Sequence, residues 1–136
     1  MDQVLFQKEL FIPSTIEGLN NCLDVIGEIR RLFEINFDTM FCLHTVIVEC
    51  VENAFIHGNK GVRELDVRVF ISISKTEISI EVEDKGDGFD MNCIPSPVDL
   101  ADLHSEGGRG IFFIKSLSAC CTTDGKGNIV RIKLNR

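Results

Sequence analysis

Glu49 and Asn53 stand four residues apart in the run Glu49-Cys50-Val51-Glu52-Asn53-Ala54-Phe55-Ile56-His57-Gly58. On a helix that spacing sets a carboxylate and a carboxamide one turn apart on the same side. A carboxylate can take a proton, and a carboxamide oxygen can ligate a divalent cation. A second run, Asp84-Lys85-Gly86-Asp87-Gly88-Phe89, places an acid directly before a tight glycine turn. There the acid can accept from a buried donor such as an exocyclic amine, while Gly86 and Gly88 allow close backbone approach. A third run, Gly107-Gly108-Arg109-Gly110, leads straight into Ile111-Phe112-Phe113-Ile114. Glycines opening a helix leave its first N–H groups facing an anion, and the helix dipole favours negative charge there. A base, a metal-binding oxygen, an amine acceptor and phosphate-facing amides make up the inventory of a nucleotide site.

Each run has a plainer explanation when taken alone. At about 100° per residue, Met40, Leu43, Ile47, Cys50, Val51, Ala54 and Phe55 fall in one arc. Glu49, Glu52, Asn53 and His57 fall opposite, as on the solvated side of any amphipathic helix. Val46 and Ile56 interrupt that polar arc, however, and Asn is a mediocre residue for a helix interior. Asp84 shares strand parity with Ile78, Ile80 and Val82, so it is expected on the buried side. An ionised carboxylate there is costly unless something donates to it. That donor is either the following glycine turn or a ligand amine. No GxxxxGK[ST] segment is present, which excludes a P-loop, and no GxGxxG follows the first strand.

The elements that must position these residues are legible from periodicity. Val4 to Ile12 reads as a strand, and Ser14 with Glu17 three residues on reads as a capping box. Leu19, Leu23, Ile26, Ile29 and Leu32 continue a first helix at three- and four-residue spacing. Asp38 is the expected N-cap of a second helix, which should stop at Gly58 in a left-handed C′ position. Leu65 to Ile73 and Ile78 to Val82 alternate around Lys75-Thr76 and predict a hairpin with one buried face. Residues 90–107 lack a period and predict a long loop. A third helix from Ile111 to Leu117 and a closing strand from Ile129 to Leu134 complete the order. Hairpin-linked strands imply a mixed, mainly antiparallel sheet with helices on one face, an α/β (α+β) two-layer sandwich.

The 136 residues suit one domain over 1–136, with 44% apolar and 26% charged residues. No apolar run nears the roughly 20 residues of a bilayer span, and Met1-Asp2-Gln3 lacks a signal-peptide plan. A cytoplasmic location and no membrane partner are therefore expected. The net charge of −7 argues against direct nucleic-acid binding, which needs clustered cations. The six cysteines show no CxxC pair and no Cys/His ligand spacing, and Cys42 and Cys50 fall within the apolar second helix. Reduced core thiols are expected.

The three runs, in this order and at these separations, resemble the N box and the two glycine boxes of the GHKL ATPase superfamily. The stretch Glu106-Gly107-Gly108-Arg109-Gly110-Ile111-Phe112-Phe113-Ile114-Lys115-Ser116-Leu117 is similar to the small anti-sigma-factor serine/threonine kinases. That resemblance covers roughly residues 4 to 134 and implies a Bergerat ATP-binding fold. It implies ATP and Mg²⁺ as cofactors, with Asn53 holding the metal between the phosphates and Asp84 accepting from the adenine amine. His57 and Gly58 would lie beside the nucleotide, Gly86 and Gly88 would shape its adenine end, and Gly108, Arg109 and Gly110 would follow its phosphates. Glu49 matches the acid that activates the attacking hydroxyl. The resemblance further implies a kinase that phosphorylates a serine on a STAS-domain antagonist, sequesters a sigma factor, and forms a homodimer.

Two positions depart from the family pattern. Gly127 is followed by Asn128-Ile129 where many relatives carry a Gly-Thr-Thr-like stretch, and Ser105-Glu106 stands where some kinases place an arginine. These departures keep open an alternative, a regulatory module that binds ATP or ADP and transfers little phosphate.

Overall fold

A computed structural model of the chain describes residues 3–86, 120–124 and 128–136. The expected loop over 90–107, the helix expected from Ile111, and Gly88, Gly108, Arg109 and Gly110 lie outside these residues. In chain order the elements are β1 (Val4–Pro13), α1 (Ile16–Leu32), α2 (Phe37–Asn53), a π turn (Ala54–Gly58), β2 (Asp66–Ser74), β3 (Glu77–Glu83), β4 (Cys120–Asp124) and β5 (Ile129–Asn135). The strands form one five-stranded sheet in the order β1-β2-β3-β5-β4. Every described pair is antiparallel. The two-layer α/β expectation holds.

Strand period explains which face meets the helices. Val67, Val69, Ile71 and Ile73 of β2, Ile78, Ile80 and Val82 of β3, and Val130, Ile132 and Leu134 of β5 are all buried. Leu43, Val46, Ile47 and Val51 of α2 and Ile26 and Ile29 of α1 complete that core. Burial of side chains this size is worth about 1.5–3 kcal/mol each, so this seam fixes register and helix placement together. The hairpin is closed by Ser74, whose Oγ accepts from the Glu77 N–H at 3.0 Å.

The opposite face of the sheet is charged. Arg68 Nε donates to Glu9 at 2.7 Å, Arg68 also bonds Glu81, and Arg131 Nε donates to Glu81 at 2.5 Å. Partial burial works against an ionised Glu81, yet the hydrogen bonds from Arg68 and Arg131 outweigh it and hold the carboxyl below its usual range. One face is thus apolar and helix-covered, and the other carries a cross-strand charge ladder.

Several boundaries differ from the sequence expectations, each for a local reason. Thr15, not Ser14, caps α1: its Oγ1 accepts from the Gly18 N–H at 3.2 Å. Ser14 is committed elsewhere, donating to the Leu65 carbonyl at 2.7 Å. Asn36, not Asp38, caps α2 through the Thr39 N–H at 2.8 Å. Asp38 sits instead in the first turn, where the helix dipole favours its charge. Gly58 does not end the helix in a left-handed conformation, since the positive φ values belong to Lys60 and Gly61. Strand β4 was not expected at all, because five edge residues with little apolar alternation leave no period-2 signal.

Phe37–Gly58 is 22 residues long with a mean hydropathy of 1.4, a length and composition that a bilayer span and a core helix share. Its buried Leu43, Val46, Ile47 and Val51 identify it as the central core helix of the domain. Cys22 is likewise core, and burial pushes its thiol up to about 12.

Candidate functional site

Helix α2 carries Glu49 and Asn53 one turn apart at its C-terminal end, and both are half-buried. The Asn53 side-chain nitrogen is fully buried and meets no hydrogen-bond partner among the described residues. An unmet buried amide costs about 1–3 kcal/mol, so this one is kept for something other than stability. Immediately after it the helix widens into the π turn Ala54–Gly58, where the Asn59 N–H reaches back to the Ala54 carbonyl at 2.7 Å. Such widened turns occur frequently at functional sites. This one swings Gly58 onto the end of β3.

There Gly58 meets Asp84. A β-carbon on Gly58 would run into the Asp84 carboxylate, and one on Gly86 would run into the Gly58 carbonyl. Two glycines, far apart in sequence, therefore let the helix end and the β3 turn close on a single acid.

Asp84 is only 7% exposed, as strand parity predicts. Its backbone N–H donates to the Asn128 carbonyl at 3.0 Å, and the Asn128 Nδ2 donates back to the Asp84 carbonyl at 2.9 Å. The Gly86 N–H donates to Asp84 Oδ1 at 2.7 Å. Burial raises the Asp84 pKa above its ordinary value, the Gly86 N–H pulls it back, and the Glu83 charge adds to the rise. A carboxylate so poorly solvated gains from a further donor.

The structure thus brings together Gly58, Asp84 and Gly86, while Asn53 ends the helix that leads into the same π turn. His57 is exposed on the π turn, and among the described residues no hydrogen bond or ion pair ties it to the cluster. Gly88, Gly108, Arg109 and Gly110 fall outside the described residues. Sequence reasoning missed Asn59 and the anchoring role of Asn128. Asn59-Lys60-Gly61 reads as ordinary turn composition, so only its position next to Gly58 hinted at more.

The model of the histidine kinase-like ATPase domain family matches residues 12–134. The chain belongs to that family. Among relatives of this histidine kinase-like ATPase domain are the serine-protein kinases RsbW of Staphylococcus aureus strains bovine RF122 / ET3-1 and MRSA252. Each is 25% identical over 116 residues, covering 80% of this chain and 73% of its own length.

The residues present fit the nucleotide and metal that this ATPase family implies. Asp84 offers a buried acceptor with capacity to spare, and Asn53, beside its unpartnered Nδ2 donor, carries an amide oxygen of the kind that can ligate a divalent cation. Among the described residues there is no cluster of three His, Cys, Asp or Glu. Mg²⁺ needs none, because it is commonly held by one or two protein oxygens plus substrate phosphates.

Proposed function

We propose that this domain is an ATP- and Mg²⁺-dependent protein-serine kinase of the anti-sigma-factor type. It acts in the cytoplasm, phosphorylates a serine on a STAS-domain antagonist and holds a sigma factor when that antagonist is phosphorylated. Support comes from family membership, from the serine-protein kinase name of its relatives, and above all from the buried Asp84 against Gly58. The Gly86 N–H of the following turn already satisfies one oxygen of that acid, and its remaining acceptor capacity suits an adenine amine.

Each residue has a definite task in this reading. Asp84 accepts a hydrogen bond from the exocyclic amine, which discriminates against a base carrying a carbonyl there. Asn53 would hold the metal through its amide oxygen. Glu49, one turn earlier on α2, takes the proton of the attacking serine hydroxyl. Gly108, Arg109 and Gly110 are assigned to the phosphates, His57 to the nucleotide's flank, and Gly88 with Gly86 to the adenine end. When bound, Mg²⁺-ATP supplies the phosphoryl group and neutralises charge on it. The protein supplies position, base and acceptor.

A second reading, a nucleotide-binding regulatory module with little transfer, is favoured by one observation. Asn128 stands where many relatives direct a Thr at the nucleotide, and here its amide is spent on the Asp84 carbonyl. Incubation with γ-labelled ATP, Mg²⁺ and a STAS-domain protein from the same genome separates the two. Labelled serine on the partner supports the kinase. Tight ATP binding without label supports the module, and no binding at all overturns both.

A further inference from the structure

Asn59 is 1% exposed, a depth at which a polar side chain must have every hydrogen-bonding group occupied. Its Oδ1 accepts from the Lys85 N–H at 2.8 Å, directly beyond Asp84. Its Nδ2 donates to Ser14 Oγ at 3.0 Å, to the Leu65 carbonyl at 3.1 Å and to the Asp66 carbonyl at 3.3 Å. Ser14 Oγ closes the loop by donating to the same Leu65 carbonyl at 2.7 Å. One amide therefore joins the end of the π turn, the β1–α1 junction, the start of β2 and the turn after β3.

The two halves of this network differ in purpose. The Nδ2 half binds Ser14, Leu65 and Asp66, which lie away from Asp84 in the chain and serve only the scaffold. The Oδ1 half grips the residue between Asp84 and Gly86. The Gly86 N–H is the donor that orients the Asp84 carboxylate, so Lys85 is the hinge on which that orientation turns. A carboxylate that reads a base must be held to within about 0.5 Å of its productive position. We infer that Asn59 is a positioning residue for base recognition: through the Lys85 N–H it fixes the Asp84 carboxylate and so sets the preference for adenine over a 6-oxopurine. This rests on the assignment of Asp84 to the adenine amine.

The test compares the dissociation constants of ADP and inosine diphosphate, with Mg²⁺, by calorimetry, and the thermal midpoint of each protein. The wild type should favour ADP by about 100-fold or more, since a site built to bond an amine rejects a carbonyl. Asn59→Ala should shrink that ratio at least tenfold. Ser14→Ala breaks only the scaffold half, so it should lower the midpoint and leave the ratio unchanged. Equal ratios in wild type and Asn59→Ala overturn the inference, as does a ratio that collapses equally in Ser14→Ala. Should Asn59→Ala not fold, Asn59→Leu fills the site without the oxygen that accepts from Lys85 and should shrink the ratio likewise, and an unchanged ratio there overturns the inference. A wild type that binds both nucleotides equally removes the adenine assignment itself, an outcome separate from any behaviour of the Asn59 variants.

Discussion

The α-carbon of Gly58 lies directly against the carboxylate of Asp84, in the space where any other residue would carry its side chain. Gly58→Ala is ordinarily a favourable change in a helical segment, by about 1 kcal/mol. Here the added methyl must displace a buried acid that Gly86 and the β3 backbone hold in place. The steric term wins. ATP affinity should fall at least tenfold while circular dichroism stays that of the parent, and a calorimetric titration reads the difference. An unaltered affinity would show that Asp84 can shift without consequence.

Asp84 also links function to pH. Its carboxyl pKa is raised in the folded protein, chiefly by burial, so the native state keeps the proton longer than the unfolded chain does. Stability attached to this group is therefore fully present below the ordinary carboxylate pKa of about 4 and is lost as pH rises through the raised value. Asp84→Asn removes that loss while its amide oxygen can still accept from Gly86. The nucleotide-free variant should melt above the wild type at neutral pH, with the gap closing towards acid. Its ATP affinity should nevertheless drop, because the amide can present a donor to a donor. Superimposable melting curves at every pH would refute the claim that Asp84 is strained by its burial.

Asn53 permits a similar separation of stability from binding. Its buried nitrogen lacks a partner among the described residues, whereas a leucine has the same branched outline and no polar group to satisfy. Asn53→Leu should stabilise the nucleotide-free protein by about 1 kcal/mol. It should also abolish the gain in ATP affinity that Mg²⁺ provides. Titrations with and without the cation check this, and a Mg²⁺ effect surviving in Asn53→Leu excludes Asn53 as the metal's ligand.

What could be read in advance follows from how rigid each local period is. Strand alternation through Ile78, Ile80 and Val82 leaves Asp84 no choice of face, and its burial follows. The helical period likewise places Glu49 and Asn53 together, and the interruption at Val46 correctly marks a covered flank, while Ile56 proves exposed. The π turn was out of reach, because a five-residue and a four-residue backbone bond leave the same side-chain pattern over so short a span. Ser14 and Asn59 were missed for another reason: their bond joins positions 45 residues apart, and each residue type has an attractive local role as a cap or a turn. Local chemistry predicted the wrong partner for Ser14 because a tertiary one was stronger.

Glu49 carries the claim that this domain transfers phosphate as well as holding it. Glu49→Gln keeps the shape and length of the side chain and removes the ability to take a proton. A positioned general base contributes about 10²- to 10⁴-fold, so single-turnover label transfer to the partner serine should slow by that factor. ATP affinity should stay near the parent's, since the reading assigns Glu49 no contact with nucleotide. Phosphoryl transfer through a loose transition state depends mainly on positioning and charge, so a smaller loss would mean that the serine hydroxyl loses its proton late and without help. Equal rates for Glu49→Gln and wild type would exclude Glu49 as the base and leave the regulatory module as the better account.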